Sequence, residues 1–206
     1  MEEIIKGQKV DITKNRPNVS DIVIGVGWKL GKNYPADLTF DLALILGDEK
    51  GNFDDPKDFV YYGNPIIMGR REETVLHKAV DEVYTEGLRF DDLEQIKVSL
   101  YELPEYIRCL TVVGSIYEPT KLGHKLGEIE GLHLHIFNEH TNEELFYSLM
   151  DNYFQLETCI TFGRFYRMES EWKFEMLQEG FMGDLGTLFG VYYNGEKLKE
   201  GDVKDE

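Results

Sequence analysis

Along most of the chain apolar and polar residues alternate with period two, and the alternating runs are bounded by Gly, Pro, Asn and Asp. Such alternation sends successive side chains to opposite faces of an extended backbone, so it marks half-buried antiparallel strands. Ile22, Ile24, Val26 and Trp28 share one face of a first strand, and Leu38, Phe40, Leu42 and Leu44 share one face of the next. The turn between them carries Gly31, Asn33 and Pro35. The same pattern predicts strands over 59–62, 95–100, 109–117, 132–137, 145–149, 158–167 and 172–177. About nine short strands separated by turn signals argue for a mostly-β chain folded as an antiparallel β-sandwich. Helices are few: the spacing predicts one over 72–84, a turn over 104–108 and a short helix near the C-terminus over 185–192. No repeat or linker divides residues 1–193, which read as a single domain. Residues 194–206 are polar and charged with little to bury, so they are expected to fray.

Charge narrows the function. The 206 residues hold 22 Lys plus Arg against 39 Asp plus Glu, a formal net charge of −17. A surplus this negative repels phosphate and sets nucleic acid aside as a partner, while it favours cations. With 42% hydrophobic residues the chain can build a real core. The start, Met1 to Gly7, has neither a basic stretch nor an apolar run. No segment approaches the roughly 20 apolar residues of a membrane-spanning helix, so a cytoplasmic protein without membrane insertion is expected. Cys109 and Cys159 lie in apolar runs without CxxC spacing and read as reduced core thiols.

The acids are grouped. Asp37, Thr39 and Asp41 alternate, so their oxygen-bearing side chains share one strand face. Further groups are Asp54, Asp55 and Asp58; Asp81 with Glu82; and Asp91, Asp92 and Glu94. Carboxylates converging from separate loops repel unless a cation neutralises them, and calcium takes six to eight oxygen ligands from such loops. Equally, a chain with 39 acids has acidic loops without any ion. No EF-hand is present, since Leu42 stands where the glycine of that loop would fall.

Gly25-Val26-Gly27-Trp28, the strand from Asp37 to Leu46, and Asp58-Phe59-Val60-Tyr61-Tyr62-Gly63-Asn64 resemble, in order, segments of the TerD family of tellurium-resistance and chemical-stress proteins. His77 with Asp81, and Asp92-Leu93-Glu94-Gln95-Ile96 followed by Leu103-Pro104, are similar to that family's GDN and GDDE segments. Ser115-Ile116-Tyr117, Phe137-Asn138, Glu144-Leu145, Phe162 to Arg167, Glu171 to Phe174 and Gln178 to Leu185 continue the collinear match. The resemblance implies a calcium-binding β-sandwich without catalytic activity, its ligands falling at Asp37, Asp41, Asp81, Asp92 and Glu94. Ordering of those loops by calcium would create a docking surface for another stress-response protein or a membrane-associated complex. Three family carboxylates are replaced, by Lys29, Thr39 and Leu93, and Glu82 stands where the family has asparagine. A lysine ammonium neutralises acids much as a metal does, so Lys29 is expected to weaken or replace one calcium site.

Two other readings use the same acids: a metal-dependent hydrolase with an open coordination position, and a scaffold or prophage-type structural paralogue whose metal site has decayed. No nucleophile elbow, Walker A loop or dinucleotide-binding glycine motif supports catalysis. His133 and His135 alternate along one strand, so both rings leave the same face and can chelate a transition metal. With no third ligand near in sequence but His140, a solvated strand face is the ordinary expectation for such a pair. His77 is placed to bond a ligand carboxylate or to cap a loop. Phe165 with Arg167, and Trp172 with Phe174, share faces of two strands joined at 168–171, where core packing under cationic side chains is expected.

Overall fold

The computed structural model describes residues 2–29, 37–68, 73–79, 92–150 and 154–195. Among the described residues twelve strands form two sheets, and every ladder between them is antiparallel. In chain order they are β1 (Lys9–Asp11), β2 (Asp21–Lys29), β3 (Phe40–Gly47), β4 (Phe59–Val60), β5 (Ile66–Met68) and β6 (Glu73–Ala79). Then follow β7 (Glu94–Ser99), β8 (Cys109–Ile116), β9 (Glu130–Asn138), β10 (Glu144–Leu149), β11 (Cys159–Met168) and β12 (Glu171–Phe181). The first sheet runs β10-β9-β2-β7-β6-β5 and the second β1-β12-β11-β8-β3-β4. Two short α-helices, α1 (Pro119–Leu122) and α2 (Leu185–Tyr192), complete the described chain. Neither is long and apolar enough to cross a membrane.

The core is the set of inward positions that the alternation marks. Ile22, Ile24 and Val26 of β2 face Phe40, Leu42 and Leu44 of β3 within one buried cluster. Strict alternation breaks once in β11, where Phe162 and Phe165 are both fully buried although three residues apart. Against β8 the register slips between Thr161 and Gly163 and leaves Phe162 as an extra residue, while on the other side Leu177 and Gln178 of β12 together stand against it; with these irregularities both rings turn inward. Trp172 is fully buried opposite Arg167, whose guanidinium lies 5.1 Å from the centre of the indole ring, so this pair serves the core. A second cluster lies on the other face of the second sheet, where Ala43, Ile45, Val113 and Cys159 are covered by α2 through Leu188. Asp184 starts that helix with a capping box: its carboxylate accepts from the Thr187 N–H at 2.9 Å, and the Thr187 hydroxyl accepts from the Asp184 N–H.

The helix expected over 72–84 is instead a strand as far as the structure describes it. β6 pairs with β5 and β7, with Val75 opposite Val98 and fully buried. A 3.6-residue pattern in a short apolar segment gives way when two neighbouring strands offer ladder partners, because strand preference is set by packing context. Residues 80–84 lie outside the described residues.

One acidic loop carries a stability prediction. Burial, followed by the nearby charges of Asp55 and Asp54, pushes the half-buried Asp58 carboxyl up to about 6. The folded state therefore binds the Asp58 proton more tightly than the unfolded chain does. Stability from this group falls as pH rises between about 4 and 6 and stays low above that. The shift is discounted for the solvent that still reaches the group, so Asp58→Asn is expected to add about 1 kcal/mol near neutral pH. Thermal melting of both proteins at pH 7.5 and pH 4 checks this: the advantage should vanish at the lower pH, and an equal gain at both would refute the assignment.

Candidate metal centre

β2 is an inner strand of the first sheet, flanked by β7 and β9, and its outer face presents glycine at two alternate positions. Gly25 lies opposite Gln95 of β7 and His135 of β9, and Gly27 lies opposite His133. The missing side chains leave a hollow between the outer strands, and Asp92, just ahead of β7, fills it. A Cβ on Gly25 would stand 1.9 Å from Asp92 Oδ2, so the carboxylate occupies the volume of an absent methyl group. The Leu93 N–H donating to the Val26 carbonyl at 2.8 Å fixes the chain at this point.

The Asp92 side chain is fully shielded from solvent and is surrounded by donors. Gln95 Nε2 donates to Oδ2 at 2.8 Å, and on the other oxygen His135 Nδ1 lies 3.3 Å and His133 Nε2 3.7 Å from Oδ1. Burial raises the carboxyl pKa, but these hydrogen bonds outweigh it and the net shift is downward, so Asp92 is held as the anion. For His135 burial disfavours the imidazolium, and the contacts with Asp92 and Glu144 outweigh it, raising the ring pKa. Glu144 Oε2 stands 2.6 Å from His135 Nε2, on the side of the ring away from Asp92. His133 Nδ1 donates to the Gly131 carbonyl at 2.9 Å. The two rings stand 5.5 Å apart between centres, nearly perpendicular. Among the described residues, Asp92, His133 and His135 form the cluster whose ligand atoms lie within 4.8 Å of one another.

The other expected ligands are dispersed. Glu94 points the opposite way from Asp92, into the sandwich, where Oε2 accepts the Leu42 N–H at 2.5 Å. Asp41 sits on β3 opposite Ser115, on the outer face shared with Ala43 and Ile45. Asp37 is exposed, with its carboxylate 3.2 Å from His124 Nε2, while Nδ1 of that ring faces Glu128 at 3.0 Å. Thr39 is exposed, its carbonyl accepting from the Tyr117 N–H. Lys29 ends β2 opposite Glu130, exposed. Asp81, Glu82 and Asp91 lie outside the described residues, as does the side chain of His77. No three of Asp37, Asp41, Asp92 and Glu94 reach metal-ligand separation. The donor set at Asp92, one carboxylate and two imidazoles, does not fit calcium's preference for six to eight oxygens. The alternation of His133 and His135 was legible in the sequence; their meeting with Asp92 depends on β2 pairing with both neighbours. Gly25, Gln95 and Glu144 fall in segments that carry the resemblance, but no spacing ties them to this site, and the 1.9 Å clearance at Gly25 emerges only from the pairing.

The TerD domain matches residues 1–192 of this chain. General stress protein 16U of Bacillus subtilis (strain 168) is 35% identical over 192 residues, covering 92% of this chain and 95% of that protein. The tellurium resistance protein TerD of Serratia marcescens is 25% identical over 188 residues, covering 91% and 94% respectively. Among solved structures, a homologue of telluride resistance protein (TerD) from Streptomyces coelicolor A3(2) superposes with a TM-score of 0.61. It shares 16% identity and covers 83% of this chain and 95% of its own, a likeness of fold.

Proposed function

The chain belongs to the TerD family, and on that premise we propose that it is a non-catalytic stress-response protein whose binding surface is set by a divalent cation at Asp92. The observation that supports this reading is the Asp92 carboxylate itself. It is buried, held as an anion, and aimed with one oxygen at two imidazoles on the outer face of a sheet. An anion kept out of water is costly unless a positive partner meets it. In the absence of metal that partner is a protonated histidine, and a divalent cation supplies the charge more fully. A cation there ties the chain entering β7 to β9 across β2 and stiffens the outer face of the first sheet. That face is then the surface offered to another protein of the stress response, and calcium from the resemblance is one of the cations to be compared.

Thermal melting of metal-stripped protein with magnesium, calcium, manganese or zinc added singly tests this. At least one ion should raise the melting temperature saturably, by about 2.7 kcal/mol of stability at one hundred times its Kd. Asp92→Asn should abolish the rise. If no ion shifts the wild-type transition, the cation-set surface is wrong.

A further inference from the structure

Resting on the reading of Asp92 as the cation site, we infer that this site takes a transition metal of the zinc class. The ligands are Asp92 Oδ1, His133 Nε2 and His135 Nδ1, with the remaining position left to water.

The argument begins with the protons. A carbonyl oxygen only accepts, so the Gly131 contact fixes the proton of neutral His133 on Nδ1 and leaves the Nε2 lone pair facing Asp92. With that ring neutral, a lone pair and a carboxylate oxygen 3.7 Å apart repel unless a cation sits between them, either the proton of the metal-free imidazolium or a metal ion. His135 is arranged the other way round: when that ring is neutral, Glu144 at Nε2 favours the proton there, and Nδ1, which donates to Asp92 in the imidazolium, turns its lone pair to the same Asp92 oxygen. Both Glu144 oxygens are shut off from solvent, and neither accepts an aligned hydrogen bond among the described residues. An Nε2 proton turned fully onto Glu144, as metal binding at Nδ1 would require, gives that carboxylate its partner.

Each ligand then has a second contact of the kind that orients metal-binding side chains. Gly131 holds His133, Glu144 holds His135, and Gln95 holds the non-ligating oxygen of Asp92. Spacing agrees as well. For metal–ligand bonds of about 2.0–2.1 Å a tetrahedron has edges of about 3.3 Å. The observed separations on Asp92 Oδ1 are 3.3 and 3.7 Å, and all three ligand atoms lie within 4.8 Å of one another, so closure around an ion asks the two imidazoles to draw together. Two imidazoles and one carboxylate are a donor set for zinc, cobalt, nickel or copper, whereas calcium and magnesium favour oxygen. His133 is the more exposed of the two rings, with 20% of its side chain open to solvent, and marks the side from which an ion and its water enter. Binding would release protons from the imidazoles.

The test uses the untagged full chain, stripped of metal. Zinc titration by calorimetry should give one site per chain. Cobalt should produce the intense visible absorption of a four-coordinate site, lost when zinc is added. His133→Asn, at the more exposed ring, should weaken zinc at least ~100-fold and abolish the cobalt band, and Glu144→Gln should weaken zinc by ~10–100-fold. Cooperative melting of each metal-free variant shows that the loss is local. Zinc binding unchanged by His133→Asn and His135→Asn overturns the inference. So does a calcium shift that needs Asp92 in a protein indifferent to zinc, an outcome that leaves the cation-set surface standing. A protein blind to all these ions removes both.

Discussion

Gly25→Ala is expected to destabilise the protein by about 3 kcal/mol and to remove its response to divalent ions. The backbone at Gly25 does not require glycine: it is extended, in the middle of β2, and without the positive φ that other glycines of the chain adopt. What alanine lacks is room, since its methyl would lie 1.9 Å from Asp92 Oδ2 and 2.4 Å from Cγ. Asp92 cannot retreat freely, because Gln95 bonds one oxygen, His135 the other, and its own main chain is tied to β2 by Leu93. Overpacking of this kind costs about 1–3 kcal/mol. A displaced buried anion that loses its donors adds a similar amount, less the few tenths regained because alanine restricts the unfolded chain. For a chain of this length the melting temperature should fall by roughly 6–12 °C. Thermal melting with and without zinc checks both parts. A loss below about 1 kcal/mol with the zinc response intact would mean that the carboxylate swings away without consequence, and the hollow over Gly25 would lose its meaning.

The sandwich was legible because its signal is local. Ile22, Ile24 and Val26 declare their face in five residues, and so do Phe40, Leu42 and Leu44; both sets lie in the core. The segment 72–84 misled because its apolar residues fit a helical period, and only pairing between β5 and β7 decides otherwise. Phe162 shows the same limit on a smaller scale, since a bulge is a property of two strands and period two cannot announce it. The site divides in the same way. Asp92 was marked by its acidic segment, and His133 and His135 by alternation, but the first lies just ahead of β7 and the others on β9. Neither pattern contains the strand that lies between them. The acids Asp92 and Glu94 were grouped by closeness in sequence, yet the backbone turning into β7 sends one outward and the other inward.

That opposition makes Glu94 the residue that separates framework from site. β3 is paired on one side along its length by β8, but on the other β4 reaches only Leu44 and Ile45, so the Leu42 N–H lies beyond the short strand. Glu94 crosses from the first sheet to accept it, a buried hydrogen bond from one layer of the sandwich to the other. Glu94→Ala leaves the buried N–H unpaired, at about 1–3 kcal/mol, and opens a cavity at the sheet interface. A total loss near 3 kcal/mol is expected in metal-free protein. Glu94→Gln, which keeps the length and an accepting oxygen, should stay within about 1 kcal/mol of wild type. The zinc-induced rise in melting temperature should survive in both variants, because the carboxylate that meets the imidazoles is Asp92. A metal ligand at position 94 would behave in reverse: little cost to the metal-free protein, since removing one of several mutually repelling acids relieves strain, and a lost ion response. Denaturant unfolding of the two Glu94 variants beside Asp92→Asn, each with and without zinc, therefore assigns the two acids to separate roles. An ion response abolished by Glu94→Ala but retained in Asp92→Asn would move the site into the sandwich and refute the assignment to its outer face.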